Sequence, residues 1–466
     1  MEKHLGRYAE SLSYFAATAL FLFLRLPLVP YWWADFQADN AMVGLMAQHT
    51  KQGHFPIYYY GQNYMGGLEW LTAALLSFAR EGFDFVTPVT LRLNTLLWWL
   101  AAGVAWSLAL RRHSLWLSHL FLWLFAFGSL HLIEVSVQQE LSPQYVFFGG
   151  LLFGWVSAGK PFTGRDGFWF GLVLGLAWWT NQTFIFTFLP ALLIFRAWPE
   201  AWWKGPLFRE LAKPWPRLKP LYALWAVLAL TGFAIAVTGG LRWNGLKIPN
   251  GISLVRDATM VVLAAHLGAH FFRMWRERQL GRLAFLGPVA GGFLLGFSPV
   301  PVGRILGLYE KSYGVGTALS PYWAWPSQVI FLGQRLYSLL FSGSILLLIM
   351  LAVVMALGLG SGAWRRSGKI FLFCLAAAAF NLLYVIFSDR SQGVPVRYLY
   401  TAYIALILAG AAVSAYARPF ALRLGLALLL VFSFGFASLV AKQSALQEIA
   451  ARDGRARNLE ILRQTL

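Results

Sequence analysis

The chain has 466 residues, of which 58% are hydrophobic and 12% charged, with a mean hydropathy of +0.59. A soluble domain carries roughly 25% charged residues, so an ordinary water-soluble globule is excluded. The net charge of +19 does not point to nucleic acid, because Lys and Arg fall in short clusters between apolar runs instead of forming solvated patches.

Lys3 and Arg7 precede an apolar stretch over about 11–30. No small-residue cleavage pattern follows it, since the chain runs on as PYWWADF, so it reads as an uncleaved first span with a cytoplasmic N-terminus. Further runs near the length of a crossing helix lie at 88–110, 114–133, 143–158, 220–240, 258–274, 283–298, 331–357, 370–387, 398–417 and 420–440.

The run from Gly167 to Phe195 is too long for one crossing, about 43 Å as a helix against a core of about 30 Å. Asn181, Gln182 and Thr183 interrupt it. Splitting it there keeps the basic clusters at Arg111/Arg112, Lys160/Arg165, Arg196 through Lys219, Arg273 through Arg282, Arg365 through Lys369 and Arg418/Arg423 on the N-terminal side. A single crossing moves every cluster after Arg196 to the other side. The expected fold is therefore an all-α polytopic membrane protein of about thirteen transmembrane helices, with a hairpin of two short helices around Asn181–Thr183.

This topology places 31–87, 134–142, 241–257, 299–330 and 388–397 on the outer side, with one transmembrane domain over 1–441 and a short amphipathic outer tail over 442–466. Cys374, the single cysteine, lies in an apolar run and reads as a buried structural thiol, with no intrachain disulfide or Cys-based metal site.

The first outer loop, 31–87, concentrates acids and aromatics. Asp35, Asp39 and Glu69 stand beside Trp32, Trp33 and Tyr58 to Tyr60, which suit the headgroup level of a bilayer. From Asp39, the residues Ala41, Met42, Leu45 and Met46 repeat at helical spacing, and Gly53 with Pro56 closes the pattern. A second helix starts near Gly66 or Gly67 and carries Glu69 in its first turn. Residue type alone leaves Asp39 open between a helix N-cap and a catalytic acid, and the helix dipole accounts for Glu69. His49 and His54 have no acid or third His to complete a metal geometry.

The stretch ADNAMVGLMAQHTKQGHFPIYYYGQNYMGGLEWLTAAL resembles the first outer loop of bacterial membrane glycosyltransferases of family 39, relatives of protein O-mannosyltransferases and of the lipid A aminoarabinose transferase. The matching elements are Asp39-Asn40-Ala41, Gly44 to Ala47, and Phe55 to Glu69. Weaker echoes follow in GLAWWTNQTFIFTFLPALL at 175–193 and VRYLYTAY at 396–403.

The resemblance implies the C-type glycosyltransferase architecture, with juxtamembrane helices in the first outer loop. It implies transfer of a sugar, with inversion, from a polyprenyl-phosphate donor to a lipid, glycan or protein acceptor at the outer face of the bacterial inner membrane. By its place in the motif Asp39 is the general base, and Arg397 the grip on the lipid phosphate, although an Arg snorkelling at a helix end reads the same way. Tyr398, Tyr64, Gln62, Glu69, Asp35 and Glu140 make up the implied substrate-binding set, Glu140 standing among Gln138, Gln139 and Gln144. Asn40 occupies a place where many relatives carry an acid, which favours one carboxylate acting as base over a paired-acid or metal centre. No cofactor is implied with certainty, and a divalent cation finds no ligand cluster. Membrane lipids are expected partners and nucleic acid is not. A flippase or transporter, and an inactive assembly subunit, are the alternatives; confinement of the acids largely to loops and the absence of a repeat favour a site at the membrane surface.

Overall fold

The computed structural model describes residues 2–30, 38–60, 66–128, 143–158, 164–181, 183–197, 216–237, 286–305, 345–387 and 399–436 as continuous stretches, with residue 133, two short strands and scattered residues over 261–276, 326–334 and 438–447. The first helices are α1 (Glu2–Arg25), α2 (Ala38–Lys51), α3 (Leu68–Glu81), α4 (Pro88–Arg111), α5 (Leu115–Phe127) and α6 (Gln144–Ser157). They are followed by α7 (Gly164–Thr180), α8 (Thr183–Phe186), α9 (Phe188–Ala197), α10 (Lys219–Val237), α11 (Leu286–Phe297), α12 (Pro299–Ile305), α13 (Ile345–Gly360), α14 (Ala363–Arg366), α15 (Gly368–Phe387), α16 (Tyr400–Ala415) and α17 (Phe420–Phe436).

Two of these helical stretches, Glu10–Leu28 and Pro88–Arg111, are long and apolar enough to cross a membrane by length and composition. Shorter apolar helices include Leu115–Phe127, Thr183–Phe195, Gly287–Phe297, Gly368–Tyr384, Tyr400–Ala415 and Phe420–Phe436. One departure from the all-α expectation is the antiparallel hairpin of β1 (Leu241–Trp243) and β2 (Leu246–Ile248), with Arg242 opposite Lys247. The sequence between the strands is Asn244-Gly245, a dipeptide strongly preferred in two-residue hairpin turns. The expected run at 258–274, the part of 331–357 before Ile345 and the tail from Lys442 fall largely outside the described residues.

Local chemistry sets the helix ends. Thr87 caps α4 by accepting the Thr90 N–H, with Pro88 in its first turn. Ser114 caps α5 by accepting the Leu117 N–H, and Gly128 ends that helix at φ +63°.

Contacts at one end of the bundle fix helix directions. Glu10 of α1 pairs with Arg111 at the end of α4 at 2.7 Å. Arg112 donates to the Gly154 carbonyl of α6, and the His113 ring lies 5.9 Å from Phe153 and 6.1 Å from Phe195. The starting half of α1 and the ends of α4, α6 and α9 therefore share one basic end. Along α9, Phe188 sits 6.0 Å from Tyr145 and Phe195 4.9 Å from Phe153, so α9 runs beside α6 in the same direction. The residues between α6 and α7 are few, so α7 leaves the basic end and α9 returns to it. The break at Asn181–Thr183 is thus the tip of a hairpin, as the charge pattern requires. Asn181 Oδ1 accepts the Thr183 N–H at 2.8 Å and satisfies a donor left open by the break.

Helices α7 and α11 touch backbone to backbone. A Cβ on Gly171 would stand 2.0 Å from the Val289 carbonyl oxygen, and one on Gly175 2.4 Å from that of Phe293. From the other side, Gly292 faces the Phe168 carbonyl at 1.9 Å and Gly296 that of Leu172 at 2.2 Å. The pairing advances in step along both chains, so the two helices run parallel. Small residues permit this approach between helices in lipid, where no hydrophobic drive brings them together.

The main core lies between α4, α5, α6, α9, α15 and α16, around Trp99, Trp106, Phe121, Phe125, Phe153 and Tyr400. The buried indole of Trp106 donates to the Val146 carbonyl at 2.9 Å. Cys374 is buried there, as its apolar run predicts.

Candidate active site at the first loop

Opposite the basic end, residues 38–60 and 66–87 form a small module whose core of Val43, Met46, Ala47, Tyr59, Trp70, Ala73 and Ala74 is completed by Leu91 of α4. Helix α2 follows the expected pattern from Asp39 and ends at Gly53, where φ is +86° and the His54 N–H returns to the His49 carbonyl at 2.9 Å. Helix α3 follows Gly67, with Glu69 in its first turn.

The module is tied together by side chains. Lys51 at the end of α2 donates to Ser77 Oγ of α3 at 2.9 Å, and Gln48 Oε1 accepts the Val86 N–H at 3.1 Å. His49 Nδ1 pairs with the Tyr60 hydroxyl, and Trp70 Nε1 donates to the Pro56 carbonyl at 2.9 Å. Glu81 closes α3 onto the start of α4. Its carboxylate accepts from Ser77 at 2.6 Å and from the hydroxyls of Thr87 and Thr90. Partial burial pushes its pKa up, but these hydrogen bonds outweigh it and hold the carboxyl below its ordinary value.

Two hydrogen bonds dock the module on the bundle: the Gly66 N–H donates to the Thr180 carbonyl at 2.9 Å, and the indole of Trp179 donates to the Ile57 carbonyl at 3.1 Å. Within the module, Gly66 bridges Tyr58 in antiparallel fashion and so holds these two docking points together. A Cβ on Gly66 would fall 2.2 Å from the Trp179 carbonyl oxygen, so glycine is required at this approach. Ile57 also packs on α12, where a Cβ on Gly303 would fall 1.5 Å from its Cδ1. Nearby, Thr401 at the start of α16 donates to Thr187 at 3.2 Å, Asn381 Oδ1 accepts the Ala402 N–H at 3.1 Å, and Tyr145 stacks 6.3 Å from Tyr400.

Of the expected site residues, Asp39 lies at the start of the described part of α2. Glu69 is buried at 1% exposure, and its backbone carbonyl accepts from Asn94 of α4 at 3.1 Å. Asp35, Gln62, Tyr64, Glu140, Arg397 and Tyr398 fall outside the described residues. The structure brings the segments carrying Asp39, Glu69 and the helix break together, and Leu399, next to Tyr398, is the residue that caps α16. Among the described residues, no group of three His, Cys, Asp or Glu side chains is placed to hold a metal ion.

Two buried cations were missed by sequence reasoning. Arg25 ends α1 at 0% exposure, with Nη1 donating to the Ala126 carbonyl at 2.7 Å and the guanidinium 3.9 Å over the Phe21 ring. Arg92 of α4 is 7% exposed and donates to the Leu28 carbonyl at 3.1 Å. Both sit inside predicted spans, where an ionisable residue is costly and by default suggests function; that signal was available.

No family model and no curated protein matches the chain. Among solved structures, it is similar to the archaeal oligosaccharyltransferase AglB from Archaeoglobus fulgidus, solved in complex with an inhibitory peptide and a dolichol-phosphate. The TM-score is 0.49 at 13% identity, over 94% of this chain and 56% of AglB. The chain therefore spans little more than half the length of that protein.

Proposed function

We propose that the chain is an integral membrane glycosyltransferase of the bacterial inner membrane. It moves a sugar from a polyprenyl-phosphate donor to an acceptor hydroxyl at the outer face, with its N-terminus in the cytoplasm and about thirteen spans. One observation carries the reading: three segments singled out separately on sequence meet at one end of the bundle. The first loop touches the helix break through Gly66–Thr180 and Ile57–Trp179, and the break touches the late Arg-Tyr segment through Thr187–Thr401.

The chemistry follows from the residues assigned to these segments. Asp39 takes the proton of the acceptor hydroxyl. The acceptor oxygen bonds to the anomeric carbon from the face opposite the phosphate. The carbon–oxygen bond to phosphate breaks, its electrons leave with the lipid phosphate, and Arg397 offsets that charge. Inversion follows from a single displacement. Asn40 beside Asp39 leaves one carboxylate, in keeping with a base and no paired-acid centre.

The reading is tested by mass analysis of membrane glycans and lipids from cells with and without the protein, alongside Asp39→Asn. Loss of one glycosylated species on deletion, with the same loss in Asp39→Asn at normal protein level, is expected. An unchanged glycan and lipid profile on deletion sinks the function; full transfer by Asp39→Asn sinks the assignment of the base.

A further inference from the structure

Buried polar groups are nearly always hydrogen-bonded, so each one without a partner calls for an explanation. Three side chains near the helix break carry four such atoms: Gln144 Oε1 and Nε2, Thr183 Oγ1 and Trp99 Nε1. Gln144 and Trp99 are 0% exposed and Thr183 is 1% exposed. They come from α6, α8 and α4, and ring contacts and hydrogen bonds tie them to one layer of the bundle. Trp99 meets Tyr400 edge-on at 4.7 Å, and Tyr400 stacks on Tyr145, the neighbour of Gln144. Thr401, the neighbour of Tyr400, donates to Thr187 at 3.2 Å, and Thr187 donates to the Thr183 carbonyl at 2.8 Å.

We propose that Gln144, Thr183 and Trp99 form a subsite for the hydroxyl groups of an uncharged sugar ring, the moiety carried by the lipid donor. The inference rests on the lipid-linked sugar transfer proposed above. Its chemistry comes from the groups themselves. The Gln144 amide both donates and accepts, a threonine hydroxyl does the same, and an indole N–H donates, a mixed neutral set that matches sugar hydroxyls. A phosphate needs cations, and none of the three side chains supplies one. An amino sugar brings a buried ammonium that none of the three neutralises. The rings of Trp99, Tyr145 and Tyr400 line the same layer, and their electron-rich faces suit the C–H edges of a pyranose or furanose. The layer is closed over by protein, so the sugar enters by displacing packing.

The test is equilibrium binding to the full chain in lipid nanodiscs. The probes are undecaprenyl phosphate alone, undecaprenyl phosphate carrying mannose or arabinose, and the same carrier with 4-amino-4-deoxyarabinose. We expect at least one neutral-sugar carrier to bind about tenfold more tightly than the bare carrier, as one or two hydrogen bonds to the sugar provide. Gln144→Leu is expected to reduce that preference to within about twofold. Thr183→Val, of the same shape without the hydroxyl, is expected to reduce it in the same direction and decides the matter if Gln144→Leu does not fold. Wild-type protein that binds bare and sugar-bearing carriers equally overturns the subsite while leaving a lipid-carrier enzyme intact. Wild-type protein that binds none of them overturns the lipid-donor reading as well. A preference retained in a folded variant means that the buried atoms hold water alone, and equally tight binding of the amino sugar overturns the neutral class.

Discussion

The backbone N–H of Gly66 meets the Thr180 carbonyl at 2.9 Å, and a Cβ on Gly66 would stand 2.2 Å from the neighbouring Trp179 carbonyl oxygen. The first loop and the helix break are thus joined main chain to main chain, at a place where any side chain intrudes. Gly66→Ala is expected to cost about 1–3 kcal/mol, seen as a lower Tm of the purified protein. Because the same contact positions the loop, transfer is expected to fall by about a hundredfold. Normal transfer by a folded Gly66→Ala protein breaks the link between docking and activity.

Neighbouring glycines of α11 give a second prediction with opposite outcomes. A Cβ on Gly292 would fall 1.9 Å from the Phe168 carbonyl, whereas nothing lies within 4 Å of one on Gly291. Gly292→Ala is expected to destabilise by about 1–3 kcal/mol through forced separation of α7 and α11. Gly291→Ala is expected to be neutral or to stabilise by about 0.5–1 kcal/mol, the ordinary gain of alanine over glycine in a helix. Thermal unfolding of the pair in one detergent decides it; equal effects refute backbone contact between α7 and α11.

Glu81 predicts how the module responds to acid. Its folded pKa lies below the ordinary carboxylate value of 4.5, so the unfolded state takes up a proton first as pH falls. The stabilisation is complete above pH 4.5 and is lost as pH drops through the folded value. Amide hydrogen exchange over 68–81 is expected to accelerate in that window. Glu81→Gln removes this pH dependence; a variant with the same acid response places its cause elsewhere.

The hairpin of α7 and α9 predicts sidedness. With a single native cysteine, buried Cys374, introduced thiols report cleanly. Glu210→Cys is expected to be labelled from the cytoplasmic side, and Gln392→Cys from outside. Labelling of position 210 from outside contradicts the split helix.

Much of the local structure was legible in the sequence because its causes are local. The repeat from Asp39 and the glycines at 53 and 67 set α2 and α3, since periodicity, dipole and left-handed glycine act within a turn or two. The split at Asn181–Thr183 was legible less directly, through charges on either side of it. The contact of Gly292 with Phe168 was not, although glycines recur every four residues at 167, 171 and 175, because spacing on one helix does not name its partner. The burial of Arg25 and Arg92 is not legible in the sequence, because apolar content identifies a span without saying where a cation within it is buried.

By itself, the sequence determined the largely helical, apolar make-up of the chain, the helices of its first loop and the gathering of its cations in clusters between apolar runs. These follow from transfer of side chains between water and hydrocarbon, which depends on composition and short-range order. The tertiary structure decided that the loop, the break and the start of α16 share one end of the bundle, and that Gln144, Thr183 and Trp99 lie in one layer. Those relations join residues far apart in the chain through close backbone approach and packing, to which local pattern is blind.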